Sequence, residues 1–196
     1  MSLGKQAKIL SKPQIDAVLG YLTKTRYPVR DRVIFLLSVK AGLRAKEIAS
    51  LTWEMVTDAE GALADVISLT DVASKGRGGR VIPINKDLRA ALTALKADAD
   101  KASRRSICVV TTERASKTSS FAIVNKFAAW YRALGFSGAS SHSGRRTAIT
   151  HWARKISTVG GSLRDVQMLA GHSALGTTQR YIEGSEEAKR WVVNLL

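Results

Sequence analysis

Five consecutive apolar residues, Val33-Ile34-Phe35-Leu36-Leu37, constrain this chain more than any other feature. Pro28 suits the first turn of a helix that carries them, and Gly42 suits its end. A helix that is apolar nearly all round belongs inside a core, covered on every side. The flanking segments supply that cover. Ser11 is placed to cap a helix over 12–24, where Ile15, Val18, Leu19 and Leu22 recur at helical spacing. A short helix follows from about Leu43 to Leu51. Residues 86–99 read as an alanine- and leucine-rich helix, and further helices are expected near 120–134, 144–156, 162–170, 178–182 and 185–196. Only the middle departs from this pattern. Asp65–Leu69 and Arg80–Ile84 read as short strands joined by a loop containing Ser74-Lys75-Gly76-Arg77-Gly78-Gly79. Pro83 marks an edge strand, and a weak strand is expected near 107–111. The predicted class is mainly α with a small antiparallel β-sheet (α+β), after a loose basic tail over residues 1–10.

Composition bounds the partners. The chain has 196 residues, 45% of them hydrophobic, enough for a packed core. Lys and Arg number 31 against 16 for Asp and Glu, a net charge of +15. That balance favours polyanions, and duplex DNA carries roughly one negative charge per 1.7 Å. A ribosome-type RNA binder or a membrane-surface protein would share it. Cys108 is the single cysteine, which excludes an intramolecular disulfide and a cysteine-based zinc site. Its apolar neighbours Ile107, Val109 and Val110 predict a buried small hydrophobe. The first ten residues lack the apolar run of a signal peptide. No stretch approaches the ~20 apolar residues of a membrane span. A soluble intracellular protein is expected.

Two arginines head apolar stripes. Arg44, Ile48 and Leu51 fall at i, i+4 and i+7, and Arg145, Ile149, Trp152 and Ile156 repeat the arrangement. An arginine aimed along a buried face is costly unless it meets an anion. A helix's first turn adds unpaired N–H groups and a positive dipole end, so phosphate fits there. Alternatively, each arginine pairs with an acidic residue or reaches solvent along its aliphatic stem. The repetition in a basic chain favours a phosphate clamp. His142 stands just ahead of Arg145. Ser162 to Asp165 has the form of a capping box, and Gly171 caps the following helix immediately before His172. Tyr181 lies nine residues after His172.

Taken together, these segments resemble the catalytic domain of the tyrosine recombinase (phage integrase) family. Gly42-Leu43-Arg44-Ala45-Lys46-Glu47-Ile48-Ala49-Ser50-Leu51 is similar to the first arginine motif. Lys75, ahead of Arg80–Ile84, is similar to the hairpin lysine. His142-Ser143-Gly144-Arg145 resembles the second motif, and Leu169-Ala170-Gly171-His172 with Tyr181 resembles the closing motif. The order is the family's, over roughly residues 10–185. Ser143-Gly144 departs from the bulky apolar residue usual there and predicts a looser helix start. Members usually carry an additional N-terminal DNA-gripping domain; in a chain of this length, no separate one is expected.

The resemblance implies a site-specific recombinase that cuts and rejoins DNA through a covalent 3′-phosphotyrosine, without metal or ATP. Tyr181 would be the nucleophile, with Arg44 and Arg145 on the non-bridging oxygens. Lys75 would be the general acid, and His142 and His172 would orient the phosphate, His142 assisting as a base. Glu47 would support the site by holding a cation. Tyr181's phenol, ordinarily near pKa ~10, needs neighbouring cations to activate it. No cofactor is expected. The chain has three histidines and no acidic residues grouped with two of them at ligand spacing; His151, in mid-helix, reads as structural. The catalytic domain would span 11–184. The amphipathic segment 185–196 would dock on its own core or exchange with a neighbouring subunit. Double-stranded DNA, a homo-oligomer (dimer to tetramer on DNA) and a cytoplasmic, nucleoid-associated setting in a bacterium or phage follow as expectations. A DNA-binding regulator would explain the charge but leave Tyr181 and His172 unused. A metal-dependent nuclease and a minimal or remnant recombinase-type protein that needs a partner are the other readings.

Overall fold

The structure, a computed structural model, describes residues 7–70, 79–101, 106–113, 115–181 and 193–194. Lys75 and nearly all of the expected terminal helix lie outside them. The chain divides into two compact units, with the boundary after Ala148.

The first unit is built around α2 (Pro28–Val39). Val33 to Leu37 are all at 0% exposure, because α1 (Lys12–Leu22), α3 (Ala45–Ser50) and α4 (Lys86–Lys101) all pack against α2. α5 (Ser120–Ala133) packs on α1 and α3 and brings Phe127 against Phe35, ring centroids 6.4 Å apart. Ser11 caps α1 in a reciprocal box with Gln14, and Pro28 opens α2. Gly42, at φ 64°, supplies the left-handed turn after α2 that an L side chain resists. Of the expected basic tail, residues 7–10 are described and they pack. Leu10 is buried and its N–H donates to Thr147 Oγ1 at 2.8 Å.

Two strands interrupt the helices. β1 (Val66–Leu69) and β2 (Arg80–Pro83) pair antiparallel, Ile67 opposite Ile82 and Leu69 opposite Arg80. Alternation sends Ile67, Leu69 and Ile82 into the core while Val81 stays 58% exposed. The fold is thus mainly helical with a small antiparallel sheet, as its periodicities predict. The strand expected over 107–111 is reduced to one bridge, Thr52 to Cys108, because the segment meets only the exit of α3. Cys108 is half-buried there rather than buried, and Ile107 is 77% exposed.

α6 (Ser143–Lys155) begins in the first unit. The second unit continues from Ile149 through a 3₁₀ turn (Ile156–Val159), α7 (Leu163–Ala170) and α8 (Leu175–Gln179). Its core is Ile149, Val166 and Ala170, covered by Trp152, Ala153, Ile156, Leu163 and Tyr181. The helix expected over 178–182 lies earlier. α8 ends at Gln179, and Tyr181 stands beyond it.

Candidate active site

Arg44 does not sit inside the first turn of its helix, as its spacing to Ile48 and Leu51 suggests. It is the N-cap residue, extended at φ −75° and ψ 156°. The reason is Glu47, whose Oε2 accepts the backbone N–H of Arg44 at 2.7 Å. That is the acidic half of a capping box, and it fixes where the helix starts. Glu47 Oε1 also accepts from Arg44 Nη1 at 2.8 Å. A second arginine then closes on the same carboxylate. Arg80 Nη1 and Nη2 reach Oε1 and Oε2, both at 2.9 Å, in a bidentate fork. The Glu47 side chain is 1% exposed, Arg80 7% and Arg44 27%. Burial alone would raise the Glu47 pKa. The Arg80 hydrogen bonds and charge, followed by the N–H and charge of Arg44, overcome it and hold the carboxyl at about 2.

Arg145 is the third residue of α6, buried, with Nη1 donating to the Gly42 carbonyl at 2.5 Å. Both arginines are therefore tied to the turn at residues 42–44. His142 is exposed just before α6, and its carbonyl accepts the Arg146 N–H at 2.9 Å. The helix start between them is tight, not loose. Ser143 is fully buried and its Oγ accepts the Ser140 N–H at 3.0 Å. A Cβ on Gly144 would stand 2.4 Å from Ser38 Oγ and 3.0 Å from Ser38 Cβ, so α2 and α6 approach through the missing side chain. The small Ser-Gly pair is what permits that approach.

In the second unit, Gly171 (φ 61°) ends α7 and turns the chain into His172. The His172 backbone is held twice by Gln167: its N–H donates to the Gln167 carbonyl at 3.1 Å, and its carbonyl accepts from Gln167 Nε2 at 2.9 Å. On the ring, Nδ1 shares a hydrogen bond with Thr178 Oγ1 at 2.9 Å. Thr178 is fully buried, and its carbonyl accepts the Tyr181 N–H at 3.0 Å. The rings of His172 and Tyr181 stack, centroids 5.5 Å apart and planes 24° apart.

The first unit thus brings Arg44, Glu47 and Arg145 to one turn, with His142 at the head of α6. The second brings His172 and Tyr181 into contact. Lys75 lies outside the described residues, and His151 is exposed on α6. Sequence reasoning missed Arg80 and Thr178. For Arg80 a signal existed: Ile82 faces the core, so a period of two puts Arg80 on the same face, where a charge demands a counter-ion. Among the described residues, no three His, Cys, Asp or Glu side chains are grouped to hold a metal ion, and no helix is long and apolar enough to cross a membrane.

A basic, mainly helical chain with this order of elements and these two clusters has the organisation of a recombinase catalytic domain. The chain belongs to the phage integrase family, whose profile matches residues 8–188. It is similar to the tyrosine recombinase XerC of Chlamydia muridarum, 27% identical over 191 residues, covering 94% of this chain and 53% of that protein. The tyrosine recombinase XerA of Thermococcus onnurineus is 30% identical over 188 residues, covering 93% of this chain and 60% of that one. The chain therefore spans little more than half the length of these relatives. In fold, it matches a crystal structure of XerA recombinase with a TM-score of 0.73 at 19% identity, over 96% of this chain and 65% of that one. A lambda integrase dimer bound to a COC′ core site matches with a TM-score of 0.69 at 17% identity, over 92% and 49%.

Proposed function

We propose that this chain is the strand-transfer part of a site-specific DNA recombinase or integrase. The Tyr181 Oη attacks a backbone phosphorus and forms a 3′-phosphotyrosine while the bond to the 5′-oxygen breaks. Lys75 gives that oxygen its proton, and the tyrosine proton passes to His142 or to the phosphate. Arg44 and Arg145 neutralise the charge that builds on the non-bridging oxygens, and neither can be titrated away at working pH. His172 orients the phosphate beside the attacking hydroxyl, and Glu47 holds Arg44 in place. Because the phosphotyrosine conserves the energy of the broken bond, a free 5′-hydroxyl reverses the step and rejoins DNA.

The observation that carries this reading is the contact between Tyr181 and His172, rings stacked and both tethered to Thr178. Double-stranded DNA as substrate is supported by the net charge of +15 and by the lambda integrase dimer on its core site. The same neighbour supports action as a homo-oligomer, with residues 185–196 as the segment that would link subunits. The test is a suicide duplex nicked beside the native site, with the reaction run in EDTA and without ATP. The wild type should form a protein–DNA adduct that survives denaturation. Tyr181→Phe should lose at least about 10³-fold in adduct formation while its DNA affinity stays unchanged. DNA binding without any adduct would make the chain a binding protein that needs a partner. An adduct that persists in Tyr181→Phe would remove Tyr181 from its role.

A further inference from the structure

We propose that Arg80 is a positioning residue of the phosphate site, acting through Glu47 to aim the guanidinium of Arg44. This rests on the function proposed above only for what Arg44 grips.

Three features carry it. First, the geometry is asymmetric. A carboxylate offers about four acceptor positions, and Glu47 uses all four: Arg80 Nη1 and Nη2, Arg44 Nη1, and the Arg44 backbone N–H. The Arg80 fork fixes the plane of the carboxylate, and with it the direction of the two bonds that Arg44 receives. Second, burial runs in one direction. Arg80 at 7% and Glu47 at 1% are closed off, while Arg44 at 27% is open. Of the three side chains, Arg44 is therefore the one that can meet a DNA phosphate. It gives one Nη to Glu47, and a guanidinium has five N–H donors. Third, the charges add to leave one positive unit. Glu47 alone would neutralise Arg44 and weaken its hold on an anion. With Arg80 as a second cation, the cluster stays net +1 and that charge faces outward on Arg44.

Arg80 is placed for this by β2. It stands opposite Leu69 in the sheet register, on the same strand face as buried Ile82. An arginine on a core face would be costly alone, and the fork to Glu47 offsets that cost. Lysine cannot substitute in kind, because one ammonium cannot bridge both oxygens in a plane.

The experiment compares wild type, Arg80→Met and Arg80→Lys in the suicide-duplex assay and in guanidinium NMR of the DNA-free protein. The Arg44 signals are assigned through Arg44→Lys. Arg80→Met should cleave about 10²-fold more slowly, the size of loss expected from a misplaced catalytic group. It should also gain an acid limb in its pH–rate profile, as Glu47 loses the partner that keeps it ionised. Arg80→Lys should recover the acid-side profile but less than half of the lost rate, because it restores charge without the fork. In the NMR spectra, slow rotation of the Arg44 guanidinium should become fast in both variants. Rates and profiles within about twofold of wild type in Arg80→Met, or unchanged Arg44 rotation, would overturn the proposal. Full rescue by Arg80→Lys would also overturn it. Should Arg80→Met fail to fold, Arg80→Lys carries the same readouts. Should the wild type form no adduct, the proposed reaction fails, and the Arg44 rotation decides this inference by itself.

Discussion

The first unit secures Arg44 with charge. Glu47 is buried between two guanidinium groups, and its carboxyl is held at about 2. In the second unit the described contacts of His172 and Tyr181 are hydrogen bonds and a stacked ring. Its fasteners are a Gln167 side-chain amide, a Thr178 hydroxyl, a backbone carbonyl and a stacked ring. The difference fits the roles proposed for each group. An arginine that stabilises an anion needs constant charge and constant aim, and an ion pair supplies both across the physiological range. A histidine that orients a phosphate needs a fixed ring, and a neutral hydroxyl bonded to Nδ1 supplies that.

The largest expected effect comes from breaking the ionic side. Glu47→Gln leaves two guanidinium groups facing each other across a buried site, and should cost about 3–5 kcal/mol of stability at pH 7. The pH dependence carries the sign. The folded-state pKa is depressed from 4.5 to about 2. The ionised carboxylate therefore contributes its stability above pH 4.5, and that contribution is lost as pH falls from 4.5 toward 2. Urea denaturation between pH 7 and pH 2.5 should show the wild type losing up to about 3 kcal/mol more than Glu47→Gln across that window. Parallel pH curves for the two proteins would mean that Glu47 is not ionised by its arginines.

The neutral side is tested by Thr178→Val, which keeps shape and removes the hydroxyl. Adduct formation should fall by about 10²-fold, the size of loss expected when a positioning group is misplaced. Thr178→Ser, which returns a hydroxyl to His172 Nδ1, should restore it. Unlike Glu47→Gln, the loss should be equal at low and high salt, because no charge is removed. A loss in Thr178→Val that Thr178→Ser cannot restore would assign Thr178 to packing alone.

The two sides also differ in how far the sequence discloses them. The long elements were legible because each has a strong period and a marked end: Ser11 and Pro28 at helix starts, Gly42 and Gly171 at exits. The fold class followed from them. Legibility failed where a side chain, not the backbone pattern, sets the geometry. Arg44 looks like a first-turn residue by spacing, yet Glu47 makes it the N-cap and sets the helix start at Ala45. Arg80 looks like the polar face of a hairpin until Ile82 is known to point inward. Thr178 looks like helix filler, because its role depends on a turn that brings it back to His172. The strand expected at 107–111 had the right composition but, among the described residues, pairs only through the Thr52 bridge. Local composition carries propensity, whereas partnership depends on which segments the fold brings together.

The smallest effect concerns the contact that seats Arg145. Gly144 is not needed for backbone freedom, since it lies inside α6 and has no positive φ. It is needed for space, because a methyl there would meet Ser38 Oγ at 2.4 Å and Ser38 Cβ at 3.0 Å. In an isolated helix, Gly→Ala would stabilise by roughly 1 kcal/mol. Here overpacking of about 1–3 kcal/mol should outweigh it and leave a net loss of up to about 2 kcal/mol. Ser38→Ala removes the nearer of the two clashing atoms, so the double variant Ser38→Ala with Gly144→Ala should regain part of that loss. Chemical denaturation of the four proteins in the cycle measures the coupling directly. If Gly144→Ala alone is more stable than the wild type, α2 and α6 are not closely packed at this point, and the turn holding Arg145 is looser than its hydrogen bond to Gly42 implies.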